Sequence, residues 1–297
     1  MSAPMVDLGG HAVNIGNSSV ELPMTQDVST ILVETIASMI AFYAAFRSIS
    51  SKTTSPEFMN YWNIQPNLGL DVANKTVSSC FALLSSLSGV FVLLTYGTDY
   101  YFDKVITFIM PIGMGYFLYD IGAMFQVYQS NHHSKGIGKD ATFKSFVHYQ
   151  PLIFAHHLLL SLFFIPLMVN RRDHPGGDPM LACALIMESS TPFVSLRAIL
   201  YNLNLRHSWI YVANGLTMVI VFFLCRIAVY PWFYYVHGTA HGMSMLEAVI
   251  STPPRCALWM GSVLLLQLHW FRIMLQGAVK VVMEKVYNTD EKQTKEK

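Results

Sequence analysis

Two adjacent histidines, His156 and His157, stand in the stretch IFAHHLLLSLFF, residues 153 to 164, which is otherwise suited to hydrocarbon. An imidazole titrates near neutral pH, so it can take a proton from an amine or accept an acyl group itself. A buried carboxylate would orient such a ring and stabilise its charged form. The chain carries Glu34, Asp120, Glu188, Arg226, His269 and Arg272 in similarly apolar surroundings. An ionisable residue inside a membrane span costs about 2.5 to 3.5 kcal/mol on insertion scales, which makes each one a functional candidate by default. Glu34 reads as structural, and Arg226 and Arg272 are expected to pair with a carboxylate or to snorkel.

The spacing around these groups is informative. Glu188, Thr191 and Ser195 fall at i, i+3 and i+7, a single polar stripe on a helix. Pro192 lacks the N–H that would bond the carbonyl of Glu188, which bends the helix at the carboxylate. Tyr116 and Asp120 share a face at i, i+4, beside Gly113 and Gly115, which allow close helix packing. Neighbouring histidines on a helix point about 100° apart, so only one of the two is expected to aim squarely at a common cavity.

The elements that must hold these residues are membrane spans. The chain of 297 residues is 53% hydrophobic and 12% charged, with a mean hydropathy of +0.40, too apolar for an ordinary soluble domain. Crossing about 30 Å of hydrocarbon takes about 20 helical residues. Seven segments qualify: roughly 28 to 46, 77 to 96, 105 to 128, 152 to 169, 180 to 200, 209 to 236 and 256 to 276. Backbone groups in lipid must be satisfied within their own segment, so the class is all-α and multi-pass. The expected organisation is an extracytoplasmic tail over residues 1 to 27, a transmembrane domain over 28 to 285, and a disordered cytosolic tail over 286 to 297.

Lys and Arg set the orientation. With the N-terminus outside, the cytosolic segments collect Arg47, Lys52, Lys75, Lys135, Lys139, Lys144, Arg206, Lys280, Lys285, Lys292, Lys295 and Lys297. The far side receives only Lys104, Arg171, Arg172 and Arg255. Asn17-Ser-Ser is then an external glycosylation sequon, while Asn74-Lys-Thr faces the cytosol. In this topology His156, His157, Asp120 and His269 lie one or two turns in from the cytosolic end of their spans, and Glu188 lies nearer the midplane. Four helices therefore converge on one cavity in the cytosolic half of the membrane. His156, His157, Asp120 and Glu188 are its candidate catalytic residues. Tyr116, Thr191, Ser195, Asn214 and His269 are its candidate substrate contacts.

Several classes are set aside. A net charge of +1 with no clustered basic face gives no reason to expect a nucleic-acid partner. The four cysteines form no CxxC pair and read as packing residues. His237 and His241 have ligand spacing but lie on the opposite side of the membrane from His156, and His132 and His133 sit in a cytosolic loop, so no metal is expected. Seven spans also suit a receptor, but span three ends in YQSNHH without a DRY-like motif, and span seven has no NPxxY. Residues 1 to 27 hold three acidic residues and no Lys or Arg, unlike a cleavable signal peptide, so the first apolar run is expected to be a retained anchor. Lys295 stands third from the end, as in dilysine retrieval signals, without neighbours that complete one.

The order and wording of the motifs resemble a known family. MESSTPFVSLRAIL (Met187 to Leu200), the histidine pair of FAHHLLL, YFLYDIGAMF (Tyr116 to Phe125) and VANGLTMVIVFFLCRIAVYPWFYY (Val212 to Tyr235) are similar to the corresponding helices of TLC-domain proteins, most of all the TLC domain-containing protein 3 branch. The resemblance covers about residues 28 to 285. It implies a six-helix barrel around a lipid tunnel with one extra N-terminal span, in the endoplasmic reticulum or a connected membrane. It also implies that the histidine pair is catalytic, as in ceramide synthases, which move an acyl chain from acyl-CoA to a sphingoid amine. Where those enzymes add a His-Asp pair and a further Asp, this chain offers Glu188 before Ser-Ser-Thr-Pro. On this reading acyl-CoA is a co-substrate rather than a bound cofactor, and Lys135, Lys139 and Lys144 attract its phosphates. The partners are membrane lipids and a long-chain amine or sphingoid base, and a homodimer is compatible with the sequence. A non-catalytic lipid-binding or membrane-lipid-homeostasis protein using the same tunnel is the other reading.

Overall fold

The computed structural model describes residues 27–96, 104–136, 141–169 and 177–295. The tail with its Asn17 sequon, the Arg171-Arg172 pair and Lys139 lie outside the described residues. All described elements are helical. In order they are α1 (Val28–Thr53), α2 (Pro56–Trp62), α3 (Pro66–Tyr96), α4 (Lys104–Ser134), α5 (Phe143–Tyr149) and α6 (Pro151–Val169). Next, α7 (Gly177–Ile186) runs through a 3-10 turn, Met187–Ser190, into α8 (Thr191–Asn202). Then α9 (Trp209–Phe223) runs through a π segment, Leu224–Ala228, into α10 (Val229–Ala240). Short α11 (Met245–Ser251) and long α12 (Pro254–Lys295) complete the chain.

Six of these units are long and apolar enough to cross a membrane: α1, α3, α4, α7 with α8, α9 with α10, and the first part of α12. The seventh expected span is the 19-residue α6, about 28 Å long at 1.5 Å per residue. The chain is a multi-pass membrane protein with a helical bundle. Its polarity is that of a bilayer solute: Leu94 is 83% and Leu258 77% exposed, whereas Ser85 and Ser190 are fully buried. Apolar side chains turned outward have only hydrocarbon as a favourable solvent, and the polar ones find partners inside.

Local signals explain where the helices begin. Ser55, Thr142, Ser208 and Ser244 cap α2, α5, α9 and α11, each accepting a backbone N–H from the first turn. On α11 Glu247 completes a capping box, and the Ser244 N–H bonded to its carboxylate holds that acid below the ordinary carboxylate range. The last helix extends further than the sequence suggests. Residues 286 to 295, expected as a disordered tail, continue α12, in keeping with the strong helix preference of Glu291, Lys292, Gln293 and Lys295.

α3 is the hub, packed on α1, α4, α7 and α8. Its Asn74 is buried and accepts a hydrogen bond from Tyr119 Oη at 3.0 Å, so the Asn74-Lys-Thr sequon is inaccessible on steric grounds alone. α1 lies against α4 along Gly115, where a methyl group would collide with Ser38 Oγ, the carbonyl of Thr35 and the N–H of Met39. Behind this contact the Tyr116 ring stacks on Phe81 at 4.0 Å between centroids, with Phe42 against the edge of both.

Two glycines on one helix give opposite predictions. Gly115→Ala is expected to destabilise the bundle by about 1–3 kcal/mol through overpacking. Gly122→Ala, where nothing lies within 4 Å, should leave stability unchanged or raise it by up to about 1 kcal/mol through helix propensity. Unfolding midpoints in detergent would read both.

Candidate active site

α3, α4, α6, α8, the π segment and α12 enclose a cavity of about 320 Å³. Its wall includes His156, His157, Asp120, Glu188, Tyr116, Thr191 and Ser195, so the predicted convergence of separate spans takes place. Each irregularity in the helices has a part in it. In the turn Met187–Ser190 the Glu188 carbonyl, left without a donor by Pro192, receives the N–H of Thr191. The helix tightens there and turns the Glu188, Thr191 and Ser195 stripe inward. The π segment likewise carries Arg226 to the interior, where it is 7% exposed.

His157 Nδ1 stands 3.3 Å from Asp120 Oδ2. That is within reach of an ion pair, but neither Nδ1 nor Asp120 Oδ1 has a hydrogen-bond partner among the described residues. Catalytic pairs often stand loose before substrate arrives and tighten when it does. The carboxylate would then hold the Nδ1 proton and leave Nε2 as the basic nitrogen. His156 meets the edge of Trp270 at 5.1 Å, with the two rings perpendicular.

The expectation that only one imidazole could face the cavity is corrected, because both rings line it, their centroids 5.6 Å apart. The reason is the shape of the space. A second, inner chamber of about 40 Å³ shares Phe117, His156, Glu188 and Arg226 with the main one, so His156 borders both while His157 lines the main one.

Arg226 organises the opposite wall. Its Nε donates to Ser190 Oγ at 2.7 Å, Nη1 to Gln267 Oε1 at 3.3 Å, and Nη2 to Thr191 Oγ1 at 2.8 Å. Thr191 passes the link on by donating to Glu188 Oε2 at 2.6 Å, and Arg226 Nη2 reaches the same oxygen at 3.4 Å. One guanidinium therefore ties the 3-10 turn, α8, the π segment and α12 together. The sequence indicated a pairing for Arg226 but not its place in the site.

Among the wall residues that were not legible as site residues, Lys75, Trp270 and Gln267 carry polar groups. On α12 a signal was present, because Val263, Gln267, Trp270 and Met274 follow each other at spacings of 4, 3 and 4, an inward-facing stripe. His269, one position before Trp270, is rotated about 100° away and is exposed on the outer face, so it is no part of the cavity. Asn214 is buried but outside the wall as well, its Nδ2 donating to the carbonyl of Phe193 at 2.9 Å and joining α9 to α8. Arg272 is exposed and Glu34 half-buried, both away from the cavity.

Toward the end assigned to the cytosol the cavity continues, through shared Val194, Ile273 and Met274, into an outer chamber of about 560 Å³. Arg197 lies there over the ring of Tyr211 at 4.2 Å, and Asn202 donates to Asp71 at 2.7 Å. Lys135 and Lys144 are exposed on that side of the bundle. Cys80, Cys183, Cys225 and Cys256 are all free thiols. Among the described residues no group of three His, Cys, Asp or Glu is placed to hold a metal, and the His237 and His241 rings, 4.3 Å apart, have no third ligand.

Glu188→Ala leaves the Arg226 charge buried without its counter-ion and is expected to cost about 3–5 kcal/mol. Glu188→Met combined with Arg226→Met should cost less than either single exchange, because no charge is stranded. Unfolding of the purified variants checks the order.

Residues 71–276 match the model of the TLC domain. TLC domain-containing protein 4-B of Danio rerio is 28% identical over 209 residues, covering 65% of this chain and 68% of its own length. Topoisomerase I damage affected protein 4 of Saccharomyces cerevisiae (strain ATCC 204508 / S288c) is 25% identical over 209 residues, 66% of each. The chain thus spans about two thirds of the length of these relatives. No solved structure matches it. The matched region contains every residue of the cavity named above, and its extent shows that the chain belongs to the TLC domain family.

Proposed function

We propose that the protein is a lipid N-acyltransferase of ceramide-synthase type, moving an acyl chain from acyl-CoA to a long-chain amine within the membrane. Membership of the TLC domain family itself assigns a function connected with membrane lipids. The observation that carries the finer reading is the buried His157–Asp120 pair inside a cavity continuous with a larger chamber toward the cytosolic end. His157, once aligned by Asp120, takes the proton of the attacking amine, and a neutral imidazole in a water-poor site is suited to that step. Glu188, held by Thr191 and Arg226, positions the wall that carries the charge network. Acyl-CoA approaches from the cytosol, with exposed Lys135 and Lys144 on that side to attract its phosphates, and the endoplasmic reticulum is the membrane that supplies both substrates.

A non-catalytic lipid-binding or homeostasis protein is the second reading, favoured by the incomplete alignment of His157 with Asp120. Purified protein in nanodiscs, given labelled acyl-CoA and a panel of sphingoid and other long-chain amines, separates the two. Acyl transfer predicts an amide product whose rate falls about 10²–10⁴-fold in His157→Ala, the usual worth of a positioned base, and also falls in Asp120→Asn. Equal turnover by wild type and the His156→Ala/His157→Ala double variant rejects the histidines as catalysts. Saturable lipid binding without product supports the second reading.

A further inference from the structure

We infer that Gln267 is the oxygen-recognising donor of the cavity: its Nε2–H receives the carbonyl oxygen of the bound acyl group and the oxyanion formed when that carbonyl is attacked. The inference rests on the acyl-transfer reading for the second half of that role, not for the first.

Gln267 is 1% exposed, on the inward stripe of α12. Its Oε1 accepts from Arg226 Nη1 at 3.3 Å. That bond fixes which way the amide faces, since the reversed amide would place N–H groups against the guanidinium. The consequence is an Nε2 aimed elsewhere, and it has no partner among the described residues. Buried amide donors are nearly always satisfied, so one held in a defined direction beside a cavity calls for an acceptor from a ligand.

The chamber it borders is selective in size and composition. At about 40 Å³ it has room for little more than one water-sized group, and its other walls include Gly113, Leu160 and Val263. It holds an oxygen, not a chain. Because it shares His156, Glu188 and Arg226 with the main cavity, a carbonyl oxygen seated there puts its carbon at the boundary beside His156, toward the main cavity that His157 lines. The hydrocarbon and the thioester tail then occupy the two wider chambers.

The transfer balances as follows. The amine nitrogen bonds to the carbonyl carbon, the π pair moves onto the oxygen facing Gln267, and the amine proton goes to the imidazole. The oxyanion pair then restores the C=O bond, the C–S bond breaks, and the sulfur leaves with the proton from the imidazolium. An amide and a free thiol result. A donor fixed in place before the charge develops needs no reorganisation, and removing one such donor elsewhere lowers turnover by about 10²–10³.

The test uses the full chain in nanodiscs and a long-chain trifluoromethyl ketone, which hydrates to a tetrahedral mimic, compared with the same chain lacking the carbonyl. Wild type should bind the ketone at least about tenfold more tightly. Gln267→Met, and Gln267→Glu, which keeps the acceptor toward Arg226, should both abolish that preference. In turnover with acyl-CoA and amine, the variants should lose kcat about 100-fold with KM nearly unchanged, and His157→Ala should not alter the ketone preference by the same route. If the variants keep both ketone preference and turnover, the inference fails while acyl transfer stands. If wild type forms no product but its ketone preference depends on Gln267, acyl transfer fails and carbonyl recognition stands. Unfolding midpoints identify a variant that is merely misfolded, in which case the other variant decides.

Discussion

A guanidinium buried among membrane helices has to be neutralised and hydrogen-bonded where it stands, and Arg226 meets that demand with four partners from two stretches of chain, residues 188–191 and α12. The cost of stranding a charge in hydrocarbon makes the arrangement all-or-none. Ser190, Thr191 and Glu188 must be turned toward it by the 3-10 turn, and Gln267 must approach on α12. The π segment supplies the extra residue that brings Arg226 around. Both departures from α-helical geometry meet at the same charge network. Irregular backbone at membrane depth is tolerated where it is covered by protein or borders a cavity, and here it does both.

The network leaves one wall of the cavity rigid and charged, and the histidines form the facing wall. Their environments differ. His157 has Asp120 within reach, the arrangement expected of a base, whereas His156 lies against the edge of Trp270 and borders two chambers. Tyr116, stacked on Phe81, and Phe117, 5.4 Å from the His157 ring, hold the surrounding shell in place. The bore widens from about 40 Å³ at the inner end to about 560 Å³ at the outer.

Close packing on the other side of α4 makes this possible. α1 approaches at Gly115 near enough to exclude a methyl group, and α3 holds α1, α4, α7 and α8 together. Lipid provides no hydrophobic force to drive the helices together, so small residues and interhelical hydrogen bonds must supply the association. The bonds from Tyr119 to Asn74 and from Asn202 to Asp71 are examples, both anchored on α3.

The sequence alone determined the class, six of the seven expected spans and which residues on several helices share a face. Long apolar segments leave the backbone no alternative to helix in a bilayer, and the 3.6-residue period already aligned Glu188 with Thr191 and Ser195, and Tyr116 with Asp120. Pro192 announced the break at Glu188. What only the tertiary structure decided was how each helix is rotated about its own axis. α6 is apolar on every side, so nothing local says that both histidines face inward. On α12 the ionisable His269 looked like the site residue, yet packing turns it outward and presents Gln267 and Trp270 instead. Arg226 is set by a π segment that no hydrophobic pattern reveals, and its partners lie 35 to 41 residues away in the chain. Rotation in a membrane bundle is chosen by which polar groups find each other across helices, and those encounters exist only once the helices have packed.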